Sequence, residues 1–273
     1  MDKIRTPHVA GLFYSADPEQ LQNDILKLLD STKSEKEYNN IFGLVAPHAG
    51  YVYSGKTAAH VYNLLKGKTY KRVVVISPSH SEYFPGSSVF IGDGYQTPFG
   101  VVEIDNEFAT RLVENSKNIF SGVEGHRSEH ALEVQLPFLQ TVLKDFKIVP
   151  IVMGDQGKIF VDELAEKLAE VADDETLIVA SSDMSHFHSK MDADGLDSIV
   201  EDRINSFDYN ALQSDLNKKK TEACGGGPIV TMMKAASLRN KNHSAVIHRS
   251  DSGDVTGDTK EVVGYLSAVV YGD

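Results

Sequence analysis

Runs rich in valine and isoleucine recur along this chain at spacings that leave room for a helix between them, and that alternation excludes most folds. The runs are IFGLVA (41–46), RVVVIS (72–77), SVFIG (88–92), KIVPIVMG (147–154), TLIVASS (176–182), SAVIHRS (244–250) and VVGYLSAVVY (262–271). Helical patterns occupy 18–29, 54–66, 106–116, 128–144, 158–171, 192–204, 207–216 and 227–238. The apolar residues are continuous rather than alternating, so the strands expect cover on both faces. Strand–helix–strand alternation then predicts an α/β fold: an αβα sandwich with a largely parallel central sheet. The last two runs, joined by the turn-rich DSGDVTGDTKE, predict an antiparallel C-terminal pair. A length of 273 residues, with no internal repeat or low-complexity linker, predicts one domain spanning 1–273. DSTKSEKEYNN (30–40) reads as a surface loop after the first helix. That helix has Asp17 as its cap, Pro18 at its first position, and a stripe of Leu21, Ile25, Leu28 and Leu29.

The formal net charge is −12 and the longest basic run is Lys218-Lys219-Lys220, which argues against a nucleic-acid partner, since that needs clustered cations. The N-terminus lacks an apolar core of signal-peptide length, and no stretch approaches eighteen uninterrupted apolar residues. No membrane association and a cytoplasmic location are therefore expected. The single cysteine, Cys224, rules out an intrachain disulfide and leaves a buried thiol, a reactive thiol or a metal ligand.

Two of the strand runs end in proline and then histidine: APHAGYVYSG carries His48, and ISPSH carries His80. The separation, 80 − 48 = 32 residues, is the length of one strand–helix–strand unit. A right-handed crossover makes the two strands parallel and usually neighbours, so both histidines emerge at the carboxyl edge of the sheet. That edge is where open α/β sheets place ligands. TLIVASSDMSHFH repeats the arrangement with Asp183 and His186. Three strand ends thus bring three imidazoles and a carboxylate to one crevice, with Tyr51 and Tyr53 as walls. Cys224 precedes three glycines and Pro228, where close backbone approach is possible and a helix N-terminus favours a thiolate. Beside two histidines it is a candidate third ligand. Two imidazoles and a thiolate suit zinc, iron(II) or copper, and three protein ligands leave a position open for chemistry.

HRSEH (126–130) matches the inverted zinc-protease motif, in which two histidines on one helical turn hold zinc. Its context is poor, because Gly122 and Gly125 precede it and Ser128 reads as a cap. Glu129 and His130, at the start of the helix that follows, are left as further candidates for the crevice. His8, His60, His188, His243 and His248 carry no partner pattern.

Taken in order, RTPHVAGLFYSADPEQL, APHAGYVYSG, VVVISPSH, TPFG, EHALEVQLPFLQ, SSDMSH, CGGGPI and SGDVTGDTKEVVGY resemble the MEMO family, the Memo-like proteins, over nearly the whole chain. Bacterial and archaeal members of that family are described with radical-SAM and AMMECR1-type partner proteins. The resemblance implies a fold shared with class III extradiol (LigB-type) dioxygenases, non-haem iron(II) enzymes in which two histidines and a glutamate hold the metal. On that alignment His48 and His80 match the histidine ligands, His186 matches a proton-handling histidine and His130 another. Cys224 falls where the dioxygenases place their glutamate. A thiolate there changes charge, potential and metal preference, so ring cleavage is not carried over from the fold. The implied function is a metal-dependent redox enzyme using iron(II), or else copper or zinc, on His48, His80 and Cys224. Asp183, His186 and His130 would serve the catalysis of a small-molecule substrate. The alternative is a peptide- or protein-binding module on a repurposed dioxygenase fold.

Overall fold

The computed structural model describes residues 4–32 and 36–273, so residues 33–35 of the expected surface loop lie outside the described residues. Strand β1 (Ile4–Arg5) leads through an irregular segment into helix α1 (Pro18–Asp30). Asp17 caps this helix by accepting from the Gln20 N–H at 2.8 Å. Strand β2 (Ile41–Ala46), helix α2 (Tyr51–Tyr62) and strand β3 (Arg72–Pro78) form the first strand–helix–strand unit. Short strands β4 (Ser87–Val89), β5 (Gly94–Thr97) and β6 (Gly100–Glu103) follow, then α3 (Asn106–Val113) and β7 (Ile119–Ser121). Next come α4 (Leu136–Val142), β8 (Lys147–Met153), α5 (Lys158–Val171), β9 (Thr176–Ser181) and the short β10 (His186–His188). Helices α6 (Lys190–Asn205), α7 (Tyr209–Asn217) and α8 (Gly226–Leu238) precede the closing pair β11 (His243–Asp251) and β12 (Val262–Tyr271), which flank the one-turn α9 (Gly253–Thr256).

Nine strands form the main sheet in the order β10-β12-β2-β9-β3-β8-β4-β7, with β11 also on β12, and β1-β5-β6 form a small second sheet. Strands β2, β9, β3 and β8 are mutually parallel, and β11 and β12 are the expected antiparallel pair. Each central strand is buried on both faces. Val73, Val75, Leu177 and Val179 point into one core with α1, α2 and α4. Val74, Ile76, Ile178 and Ala180 point into the other, with α3, α5, α6 and α8. This is the αβα sandwich that the unbroken Val/Ile runs predicted. No helix among the described residues is long and apolar enough to cross a membrane.

Three details differ from the expectation. The two strands ending in proline and histidine are not neighbours, because β9 lies between them and Ile178 faces both Gly43 and Val74. The crossover through α2 skips one position, and the strand leading to Asp183 fills it. The helix expected over 128–144 starts only at Leu136, after a short 3₁₀ turn at Glu133–Gln135. Pro137 fits only a first helical turn, so no regular helix can run through it from Ser128. Finally, β1, β5, β6, β7 and β10 were not anticipated; these are two- to four-residue strands too short to show periodicity.

Candidate metal centre

His48 emerges two residues beyond β2 and is buried. Its backbone N–H donates to Asp183 Oδ1 at 2.7 Å, and its Nδ1 lies 2.9 Å from Ser181 Oγ. The Ser181 hydroxyl donates its one proton to the Ala131 carbonyl at 2.6 Å and accepts from Gln135 Nε2 at 2.8 Å. It must therefore accept from His48 Nδ1–H, which leaves Nε2 as the bare nitrogen. That nitrogen lies 3.1 Å from Cys224 Sγ. Burial first, then the neighbouring His80, His130 and His186, hold the His48 pKa far below the usual imidazole range.

His80 leaves β3 in the same direction. Glu129 Oε2 accepts its backbone N–H at 2.7 Å, and Oε1 lies 2.9 Å from its Nδ1. The carboxylate fixes Nδ1 as the protonated nitrogen, so Nε2 again faces the crevice. Burial lowers the His80 pKa, but the hydrogen bond and charge of Glu129 outweigh it and the net shift is upward. Glu129 moves the other way: burial raises it, while His80 and the Ala131 N–H hold it below the ordinary range.

Cys224 is delivered from below by α8. A side chain at Gly225 would overlap the Ser181 carbonyl and the Ser182 Cβ, so glycine allows the chain to press against the end of β9. Sγ accepts from the Asp183 N–H at 3.2 Å. The expected thiolate from the helix N-terminus is not what the local groups favour. Ser182 Oγ, the Ala223 carbonyl and Gln156 Oε1 already take the N–H groups of Gly225, Gly226 and Gly227. Burial, then the charge of Asp183, push the thiol pKa up.

One ligand atom each from His48, His80 and Cys224 lies within 4.8 Å of the others. Metal–nitrogen bonds of about 2.0 Å and metal–sulfur bonds of about 2.3 Å put tetrahedral N and S donors roughly 3.5 Å apart. The 3.1 Å contact between His48 Nε2 and Sγ reaches that with a small outward shift. Two bare imidazole nitrogens and one thiol converging in this way fit a three-ligand ion with an open position.

Of the other expected site residues, Asp183 sits on the floor, with Oδ2 4.0 Å from His48 Nε2; burial pushes its pKa up to about 7. His130 packs its ring 5.5 Å from that of His48 and 4.6 Å from that of His80. His186 stands apart at the rim, half-buried, lining with Cys224, Gln156 and Leu216 an open cleft of about 540 Å³. Tyr51 is buried and donates to the Val134 carbonyl, while Tyr53 is exposed. Sequence reasoning missed Phe13, whose ring lies 4.9 Å from that of His130 and whose carbonyl accepts the Tyr51 N–H at 2.8 Å. It also missed the orienting roles of Ser181 and Gln135. The polar side chains at a strand end and in an apolar helix pattern were the available signal.

His126 and His130 do not act together. His126 is buried: Tyr95 Oη donates to its Nδ1 at 2.5 Å and its Nε2–H donates to the Ser88 carbonyl at 3.1 Å. The protease motif is thus split between a structural and a crevice histidine. Burial brings the His126 pKa down to about 4. Its neutral form is favoured in the folded state, so the stability it contributes is whole above about 6.5 and is lost as the pH falls through about 4. The 2.5-unit difference corresponds to roughly 3 kcal/mol. Denaturant unfolding of wild type and a His126→Gln variant at pH 7 and pH 4 should show the gap between them narrowing by about that amount. A gap independent of pH would contradict the assignment. His60 and His248, which lacked a partner pattern in the sequence, stack on each other at 4.1 Å on the far side of α2.

The Memo-like protein family model matches residues 5–269. A MEMO1 family protein of Thermoplasma volcanium is 37% identical over 270 residues, covering 97% of this chain and 98% of its own. A MEMO1 family protein of Methanosarcina mazei is 36% identical over 274 residues, covering 98% and 99%. Among solved structures, an uncharacterised protein of Escherichia coli K12 superposes with a TM-score of 0.56 at 13% identity, over 84% of this chain and 99% of that one. That last likeness concerns the fold.

Proposed function

This chain belongs to the Memo-like protein family, and from the geometry of its crevice we propose that it is a metal-dependent redox enzyme holding iron(II), with copper and zinc as the competing ions, on His48, His80 and Cys224. One observation carries the proposal. The hydrogen bonds of Ser181 and Glu129 each fix an imidazole tautomer so that both bare nitrogens face the same thiol side of the crevice. Buried histidines are hydrogen-bonded in any case, as His126 is; what supports metal ligation is that each of these two keeps one bare nitrogen beside a thiol, as metal ligands do when a partner holds their other nitrogen.

When bound there, the ion would supply a Lewis-acidic, redox-active position open to oxygen or to a small organic substrate. The protein's own groups divide the remaining work. Asp183, buried with its pKa near neutrality, can hold a proton or a water beside the open position. His186 at the cleft rim and His130 under Phe13 are each able to give or take a proton. Phe13 packs against the His130 ring.

The test is metal content after anaerobic purification with iron(II), measured by mass spectrometry on wild type and on a His48→Ala/Cys224→Ser double variant. The wild type should retain at least one more ion per chain than the variant. Equal contents would remove these residues as ligands. In that case the crevice, with Phe187 exposed at its rim, is to be studied as a peptide- or protein-binding surface.

A further inference from the structure

We infer that His80, Glu129 and His130 form a second cation position, on the outer side of the crevice, sharing His80 with the first. One ligand atom from each of these side chains also lies within 4.8 Å of the others. Glu129 Oε1 stands 2.9 Å from His80 Nδ1 and 3.4 Å from His130 Nδ1. For bonds of about 2.0–2.2 Å, donors at right angles lie about 3.0 Å apart and tetrahedral donors about 3.4 Å apart. The two separations already match the edges of a coordination polyhedron. The carboxylate is held rigidly, its side chain 1% exposed, with Ala131 N–H on Oε1 at 2.9 Å and His80 N–H on Oε2. The two imidazoles, by contrast, are 34% and 22% exposed, so an ion can reach them from solvent.

A single hydrogen bond does not account for the arrangement. One proton on His80 Nδ1 satisfies Glu129, yet His130 Nδ1 faces the same oxygen at a distance beyond ordinary hydrogen bonding. Among the described residues no other group hydrogen-bonds the His130 ring. A divalent ion of borderline softness, with two nitrogen donors and one carboxylate oxygen, would engage all three at once. Binding there would displace the Nδ1 proton of His80 to solvent, so that with both positions filled His80 would be a bridging imidazolate, Nε2 to the first and Nδ1 to the second. This second position shares His80 with the reading above but needs neither His48 nor Cys224.

Cobalt(II) separates the two positions, because only the first contains a thiolate and only it gives a sulfur-to-cobalt charge-transfer band. Wild type should bind two cobalt ions per chain and show the band. His130→Ala should bind one and keep the band, and His48→Ala/Cys224→Ser should bind one and lose it. If His130→Ala does not fold, His130→Phe keeps a ring against Phe13 and is expected to lose the same ion and keep the band. Wild type and His130→Ala binding equal amounts of cobalt would overturn the second position while leaving the first standing. A wild type without the band that still binds an ion dependent on His130 would support the second position and remove the ligand set proposed above.

Discussion

Replacing Glu133 by glutamine is expected to lower the unfolding free energy by about 3–5 kcal/mol, the cost of leaving a buried charge without its partner. Glu133 is fully buried and lies against the Arg5 guanidinium, which is itself buried. The carboxylate also accepts the His8 N–H at 2.8 Å, the Val9 N–H at 3.0 Å and the Tyr14 hydroxyl at 2.6 Å. Glutamine has nearly the same volume and keeps an acceptor, so the variant isolates charge from shape. Arg5 would be left as a largely buried guanidinium without its counter-charge. Denaturant unfolding at pH 7 measures the effect, and a loss under about 1 kcal/mol would mean that Arg5 finds another counter-charge.

The same variant should loosen the crevice, because this network holds its outer wall. Arg5 Nη2 donates to the Glu129 carbonyl at 2.6 Å and Nε to the His126 carbonyl at 3.1 Å. Those two bonds set the backbone from which Glu129 reaches His80. The 8–14 segment, pinned by Glu133, carries Phe13 onto His130. Residues near the N-terminus thus position a site built mainly from strand ends far along the chain.

The sheet was legible because its signal is long and redundant. Six- and seven-residue Val/Ile runs buried on both faces leave little room for another reading, and the carboxyl edge follows from the direction of parallel strands. The edge rule pointed to His48, His80, Asp183 and His186, whereas Cys224 was singled out as the lone cysteine before three glycines and a helix start. Strand order was less accessible: nothing in IFGLVA or RVVVIS says that β9 intervenes, since order is fixed by helix packing on the two faces. The upward push on the thiol pKa was not legible either, because it comes from burial and then from the charge of Asp183, forty-one residues away. Phe13 and the Arg5–Glu133 pair lay beyond reach for the same reason. Their partners are set by tertiary contacts across more than a hundred residues, and no local pattern encodes them.

Removing one hydroxyl should test the orientation argument most directly. Ser181→Ala takes away the acceptor of His48 Nδ1–H while leaving all three proposed ligands of the first position in place. The expected result is a fall of roughly 10–100-fold in metal affinity at that position, the usual effect of losing an orienting partner. Stability should drop by about 1–3 kcal/mol as well, since the Ala131 carbonyl and the Gln135 amide lose a buried partner. The two effects are separable: nitrogen NMR of the His48 ring reports the tautomer, which should be a single Nδ1–H form in wild type and a mixture in the variant. A chelator competition with cobalt(II), read at the thiolate band, reports affinity at the first position alone. Unchanged affinity together with a mixed tautomer would show that His48 is not a ligand, because a ligand's basicity and aim depend on the proton at its other nitrogen. Reduced affinity with the tautomer unchanged would instead assign Ser181 a packing role at the end of β9 rather than an orienting one.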